Sequence, residues 1–260
     1  MITIILLTNL NGGIHMKQLL VLITACALCT TGVFADTLLN IDFENPPYTL
    51  GELDGQQMWS TYPGTAPESA VVNASPTPSQ GSQCALVVST NNAFCADMYD
   101  ARTTINDSTF NTNTHYLRVA MDILPKSNYD ACDLRIDVSN RTRLVLFGIW
   151  TDANSNAVAN LNGTELNIPV TWGEWHELSV LMDCKNQKVI EFTVDGSATT
   201  ITNRPFWAQA AYPQMLRIST SNALDFWAAF DAIWVTTEPI PEPGMIGAVV
   251  LGLMFLIRRK

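Results

Sequence analysis

From residue 117 to 194 apolar and polar side chains alternate with a period of two, and that pattern admits half-buried strands far more readily than helices. Leu117, Val119, Met121 and Ile123 are interleaved with Arg118, Ala120 and Asp122, and Leu134, Ile136 and Val138 with Arg135 and Asp137. Leu178, Val180 and Met182 alternate with Ser179 and Asp183; Ile190, Phe192 and Val194 follow, closing on the turn pair Asp195-Gly196. Leu144 to Trp150 is an apolar run interrupted only by Gly148, the pattern of a central strand covered on both faces. Residues 61–83, rich in Pro and Gly, read as a long loop around a short strand at Val71-Val72. No amphipathic helix and no internal repeat interrupts this series. The expected fold is all-β, an antiparallel β-sandwich or jelly roll.

Composition supports a globular chain. Of 260 residues 47% are apolar and 15% charged, enough to bury a core and too little charge for disorder. The formal net charge is −10, and between Asp36 and Glu238 there are 23 acids against 10 bases, or −13. No Lys/Arg cluster is present to neutralise phosphates or anionic lipid headgroups, which excludes nucleic acid as the expected partner.

Both ends of the chain carry addresses. From Met16, Lys17 is followed by an apolar run through Leu28 and by Gly32-Val33-Phe34-Ala35. One basic residue, an apolar segment too short to span a bilayer and small residues before the cut describe a signal peptide over 1–35, removed after Ala35. Met1 to His15 then precede the true start. Ile23-Thr24-Ala25-Cys26 also fits a loose lipoprotein pattern, the competing reading. At the other end, over 239–260, Pro241-Glu242-Pro243-Gly244 precedes an uncharged apolar stretch, Met245 to Ile257, and Arg258-Arg259-Lys260. As a helix the thirteen apolar residues rise about 20 Å, short of a hydrocarbon core of roughly 30 Å, and the basic end stays cytoplasmic. A plain short anchor is one reading. The order and end position of Pro241, Glu242, Pro243, Arg258 and Arg259 resemble the PEP-CTERM sorting signal of exported bacterial proteins. The resemblance implies an exosortase as processing partner, transient residence in the inner membrane, cleavage near Pro243 and delivery to the cell surface or its polysaccharide matrix.

Two stretches of residues 36–238 resemble concanavalin A-like, LamG-type jelly rolls. One is Trp175-His176-Glu177-Leu178-Ser179-Val180 followed by Val189 to Gly196. The other is an opening Asn40-Ile41-Asp42-Phe43-Glu44 matched by a closing Phe230-Asp231-Ala232-Ile233-Trp234-Val235. Asp231 falls on the strand face of Ile233 and Val235, where a carboxylate needs a cation or several N–H donors. The related modules imply a structural Ca²⁺ between first and last strands, with Asp42 and Glu44 as partners of Asp231. Hydrogen bonds from loop amides, or solvent, are the alternative. No other cofactor is expected.

Glu52-Leu53-Asp54-Gly55-Gln56-Gln57 resembles the Glu-x-Asp-x-x-Glu strand of jelly-roll endoglucanases, but glutamine replaces the last acid and Gly55 favours a turn. Without the second carboxylate the hydrolytic mechanism is lost. His115 and His176, far apart and without a nucleophile elbow, read as polar strand residues. Cys26 and Cys29 leave with the signal. The remaining four cysteines, even in number in an exported domain, suggest two disulfides: Cys84–Cys95 across a short hairpin, leaving Cys132–Cys184; buried thiols are the alternative. Among seven tryptophans, Trp175 and Trp234 read as core and Trp207, beside Pro205, as the surface aromatic for a sugar ring. The expected function is a non-enzymatic exported protein that binds carbohydrate. A structural matrix protein without a ligand and a polysaccharide hydrolase or lyase are the rivals.

Overall fold

The computed structural model describes residues 35–57, 59–61, 69–89, 94–98, 111–126, 132–138, 142–199, 201, 203–208, 213, 215–220 and 226–240. They belong to one compact unit, Ala35–Ile240. The expected signal segment before Ala35 and the sorting residues from Pro241 onward lie outside the described residues. Among the described residues no helix is long and apolar enough to cross a membrane.

Among the described residues seventeen strands follow one another: β1 (Thr37–Ile41), β2 (Gly51–Glu52), β3 (Trp59–Thr61), β4 (Ser69–Val72), β5 (Cys84–Ser89), β6 (Phe94–Met98), β7 (His115–Pro125), β8 (Cys132–Val138), β9 (Thr142–Thr151), β10 (Ala157–Leu161), β11 (Thr164–Pro169), β12 (His176–Asp183), β13 (Lys188–Val194), β14 (Ser197–Ala198), β15 (Arg204–Pro205), β16 (Met215–Thr220) and β17 (Phe226–Pro239). They build two sheets. One has ten strands in the order β14-β13-β12-β7-β17-β5-β4-β2, with β1 also on β17 and β15 on β13; the other is β11-β10-β9-β8-β16-β6-β3. Neighbouring strands run antiparallel throughout, for example β7 with β17 and β8 with β9.

The period of two decides what lies between the sheets. Leu117, Val119, Met121 and Ile123 of β7 and Leu178, Val180 and Met182 of β12 share one core with Leu134 and Ile136 of β8 and Val145, Phe147 and Ile149 of β9. Phe147 meets Phe192 of the opposite sheet edge-on, with ring centroids 6.2 Å apart, a favoured aromatic geometry. Trp59 is core as well, its indole N–H donating to the Tyr48 hydroxyl at 3.1 Å. On β13 the expected phase slips. Leu181 faces Glu191 but Met182 faces Val189, so Ile190 is the extra residue of a bulge and Val189 takes the core place expected of it.

Candidate functional site

The ten-stranded sheet turns one face to the core and the other outward, and the outward face carries the chemistry. A bulge in β17 sets it up. Asp231 pairs with Asp122 of β7, yet Trp234 pairs with Ala120, three residues advancing on β17 for two on β7. Ala232 absorbs the extra step at φ 46°. The face of every residue beyond the bulge is thereby reversed. Phe230, Ile233 and Val235 enter the core, whereas Ala229, with Leu124 and Cys84, belongs to a second apolar cluster away from it. Asp231 therefore lies under the 73–83 segment and not on the face of Ile233 and Val235. This corrects the sequence expectation, which assumed an unbroken strand.

Asp231 is fully buried, and the 73–83 segment satisfies it. Its Oδ2 accepts the Ser79 N–H at 3.1 Å, the Ser79 hydroxyl at 3.0 Å and the Gln80 N–H at 3.1 Å, and its Oδ1 accepts the Ala232 N–H at 2.8 Å. Asp122 Oδ2 lies 2.7 Å from the same Ser79 hydroxyl and 3.4 Å from Gln80 Nε2. Burial, with the neighbouring Asp122 charge adding, pushes the Asp231 carboxyl up to about 6 against its donors. Burial also raises Asp122, opposed by Ser79 and Gln80. A turn further on, Glu44 accepts the Ser82 N–H at 2.6 Å, the Ser82 hydroxyl at 2.6 Å and the Gln83 N–H at 2.8 Å. Burial opposes these bonds, but they win and hold Glu44 below its ordinary range. Asp42 accepts the Glu44 N–H at 3.1 Å.

The calcium expectation does not fit this geometry. Asp231, Glu44 and Asp42 are engaged separately by N–H and O–H donors, and donors of that kind compete with a cation for the same lone pairs. Among the described residues no group of three or more His, Cys, Asp or Glu converges as metal ligands. First and last strands are held instead by their own ladder, Ile41 opposite Ile233 and Asn40 opposite Trp234.

The disulfide expectation is corrected too. Cys84, Cys132 and Cys184 are buried thiols. Cys84 stands on β5 and Cys95 on β6, in different sheets, so no hairpin joins them. Cys132, on β8, donates its S–H to the Ile149 carbonyl at 3.6 Å. The side chain of Cys95 lies outside the described residues. The segment resembling an endoglucanase strand is a turn: Gly55 has φ 77°, and Gln56 accepts the Thr49 N–H at 2.8 Å while donating to the Glu52 carbonyl at 2.6 Å. His176 likewise works structurally, bridging Asp195 Oδ2 and the Thr171 carbonyl, both at 2.9 Å.

Beyond the 73–83 segment the outward face opens. Two rows of side chains cross it: Asn40, Trp234, Ala120 and Ser179, then Thr37, Thr236, Arg118 and Leu181. Thr37, Asn40, Arg118, Ala120, Trp234 and Thr236 line a groove of about 340 Å³. Trp234, expected in the core, is half-buried here because the bulge turned it outward, and small Ala120 beside it leaves the indole room. Arg118 is fixed at the groove's edge. Its Nη2 meets Glu191 Oε1 at 2.9 Å, its Nε bonds Glu238 and its Nη1 donates to the Ser179 hydroxyl at 2.9 Å. Trp175, also expected in the core, packs on the covered half of this face and donates its indole N–H to the Thr77 carbonyl at 2.9 Å.

Two further features are on the surface. Trp207 is 54% exposed, as its place beside Pro205 suggests. The Arg143 guanidinium lies 4.5 Å from its ring centre, so a cation already occupies one aromatic surface. A depression of about 500 Å³ at the β9–β10 turn is lined by Asp152, Asn156, Thr171 and Trp172 among others. Its carboxylate is spent within its own turn: Asp152 accepts the Asn154 and Asn156 N–H groups, each at 2.8 Å, and Asn156 Nδ2 at 3.1 Å.

No family model and no curated protein matches the chain. Among solved structures, the carbohydrate esterase of the Shiga toxin-encoding bacteriophage phi24B is similar at 15% identity and a TM-score of 0.54, over 78% of this chain and 99% of that one. The cellulose induced protein Cip1 is similar at 14% identity and TM-score 0.49, over 76% and 96% of the two chains. The CBM22-1 xylan-binding domain of Paenibacillus barcinonensis Xyn10C stands at 12% and 0.39, over 80% and 97%. Only the first of these three exceeds a TM-score of 0.5, and at its identity the likeness shows the β-sandwich fold and nothing of the activity.

Proposed function

We propose that the protein is an exported, non-enzymatic component of the cell surface or its matrix, and that its sandwich binds carbohydrate in the groove around Trp234. The observation that carries this is an indole on an open sheet face, between Asn40 and Ala120, with Thr37, Thr236 and Arg118 on the adjoining row. Pyranose C–H faces stack on such a ring while hydroxyl and amide side chains on either side take the sugar hydroxyls. Trp207 is the weaker platform because Arg143 already covers part of its ring. The two carboxylate pairs described above argue against hydrolysis: Glu191 and Glu238 are both held by Arg118, and Asp231, beside Asp122, is buried. Asp231 is sealed beneath Ser79 and Gln80, and a glycosidase needs both carboxylates open to the polymer.

Export and sorting rest on the terminal motifs. The compact unit ends at Ile240, immediately before Pro241-Glu242-Pro243, so cleavage by an exosortase-type enzyme near that motif releases the sandwich whole. The test of the binding reading is a glycan array probed with the full-length protein and with Trp234→Ala. Signals lost in the variant, with an unchanged circular dichroism spectrum, support the groove. Signals indifferent to Trp234 remove it.

A further inference from the structure

The groove's charge narrows the ligand. This step rests on the carbohydrate reading and adds the class of sugar. Arg118 is the one cation among the lining residues, and its guanidinium is committed on three sides: Glu191, Glu238 and the Ser179 hydroxyl. One positive charge therefore faces two negative ones, and the edge of the groove is net negative.

A sugar carboxylate, sulfate or phosphate needs an Arg or Lys whose donors are available. Here three of the five guanidinium N–H donors are already taken, two of them by protein carboxylates. An arriving anion finds only the remaining N–H groups and meets the field of both carboxylates. Neutral sugars carry no such penalty, and the ammonium group of an amino sugar is attracted. The unit as a whole, at −13, repels polyanions further at low ionic strength. We infer that the Trp234 groove takes glycans free of acidic groups, neutral hexose and amino-sugar polymers, and that Glu191 and Glu238 act as the filter by holding Arg118.

The experiment sorts the Trp234-dependent glycans of the array by charge, at 20 and 150 mM salt. Neutral and amino-sugar glycans are expected to carry the dependence, with uronate, sialylated and sulfated glycans at least tenfold weaker. The Glu191→Gln/Glu238→Gln double variant frees the guanidinium and is expected to raise acidic-glycan binding at least tenfold over wild type and to weaken amino-sugar binding. Salt is expected to weaken amino-sugar binding and leave neutral glycans unchanged. Trp234-dependent binding of acidic glycans by the wild type, or a double variant that folds and shows no gain for them, overturns the filter while leaving the carbohydrate reading intact. Binding that nowhere depends on Trp234 overturns both.

Discussion

Asp231→Asn separates the cost of burying a charge from the benefit of the bonds that surround it. Burial lifts the Asp231 carboxyl from an ordinary 3.8 to about 6, so the folded state takes up the proton at higher pH than the unfolded chain. The sign follows from that order: the ionisation cost is absent below about pH 4, grows as pH rises and is complete above about pH 6. Full conversion of the shift gives about 3 kcal/mol. Water around the exposed Gln80 screens part of the field, leaving about 1–2 kcal/mol. Asp122, also raised, acts in the same direction. Asparagine removes the charge but directs an N–H₂ at one of four donors, which costs about 1–3 kcal/mol in an unsatisfied group. Urea unfolding at pH 4.5, 5.5, 6.5 and 7.5 reads both effects. The wild type is expected to lose stability steadily up to pH 6.5. The variant is expected to keep only the shallower slope that buried Asp122 contributes, less stable than wild type at pH 4.5 and close to it at pH 7.5. Equal slopes for the two proteins would refute the burial argument.

Gly81 sits at φ 60°, and a Cβ there would fall 2.3 Å from Glu44 Oε1; Gly81→Ala should cost about 2–3 kcal/mol in urea unfolding through left-handed strain and loss of the Glu44 bonds, and a cost under ~0.5 kcal/mol would contradict that account. Cys84, Cys132 and Cys184 are all buried, and burial pushes the Cys84 and Cys184 thiols up to about 12, so the three are expected to resist alkylation at pH 8 until urea is added. Recovery of a Cys132–Cys184 linked peptide under non-reducing conditions would contradict it. In a host with the sorting machinery, intact mass of surface-extracted protein is expected to end near Pro243, and a species retaining Arg259-Lys260 sinks the processing proposal.

How far the sequence was readable follows from what a period of two can encode. It reports which face a residue takes relative to its strand neighbours, so β7, β8 and β12 were legible, down to Met121 against Ile136 in one core. It carries no mark where a bulge resets the phase. An unbroken alternation therefore puts Ile190 and Asp231 on the core face, where the structure does not place them, and the composition of β17 does not show that Trp234 opens a groove. The small alanines at 229 and 232 are the one local hint that β17 is crowded and bent there. Ser79 and Gln80, the partners of Asp231, were lost inside a Pro- and Gly-rich loop because long-range bonds leave no local pattern. The same blindness produced the Cys84–Cys95 hairpin: closeness in sequence cannot show that the chain crosses between sheets after β5. Gln56 was legible as a turn residue because Gly55 announces the turn locally.

The most direct test of the binding site is a crystal structure of the protein with the strongest neutral oligosaccharide from the array. A sugar ring is expected stacked on Trp234, with its hydroxyls within hydrogen-bonding distance of Asn40, Thr37 or Thr236 and with the Arg118–Glu191–Glu238 set undisturbed. Density for the sugar on Trp207 or in the depression beside Asp152 and Trp172, with the Trp234 groove empty, would contradict it.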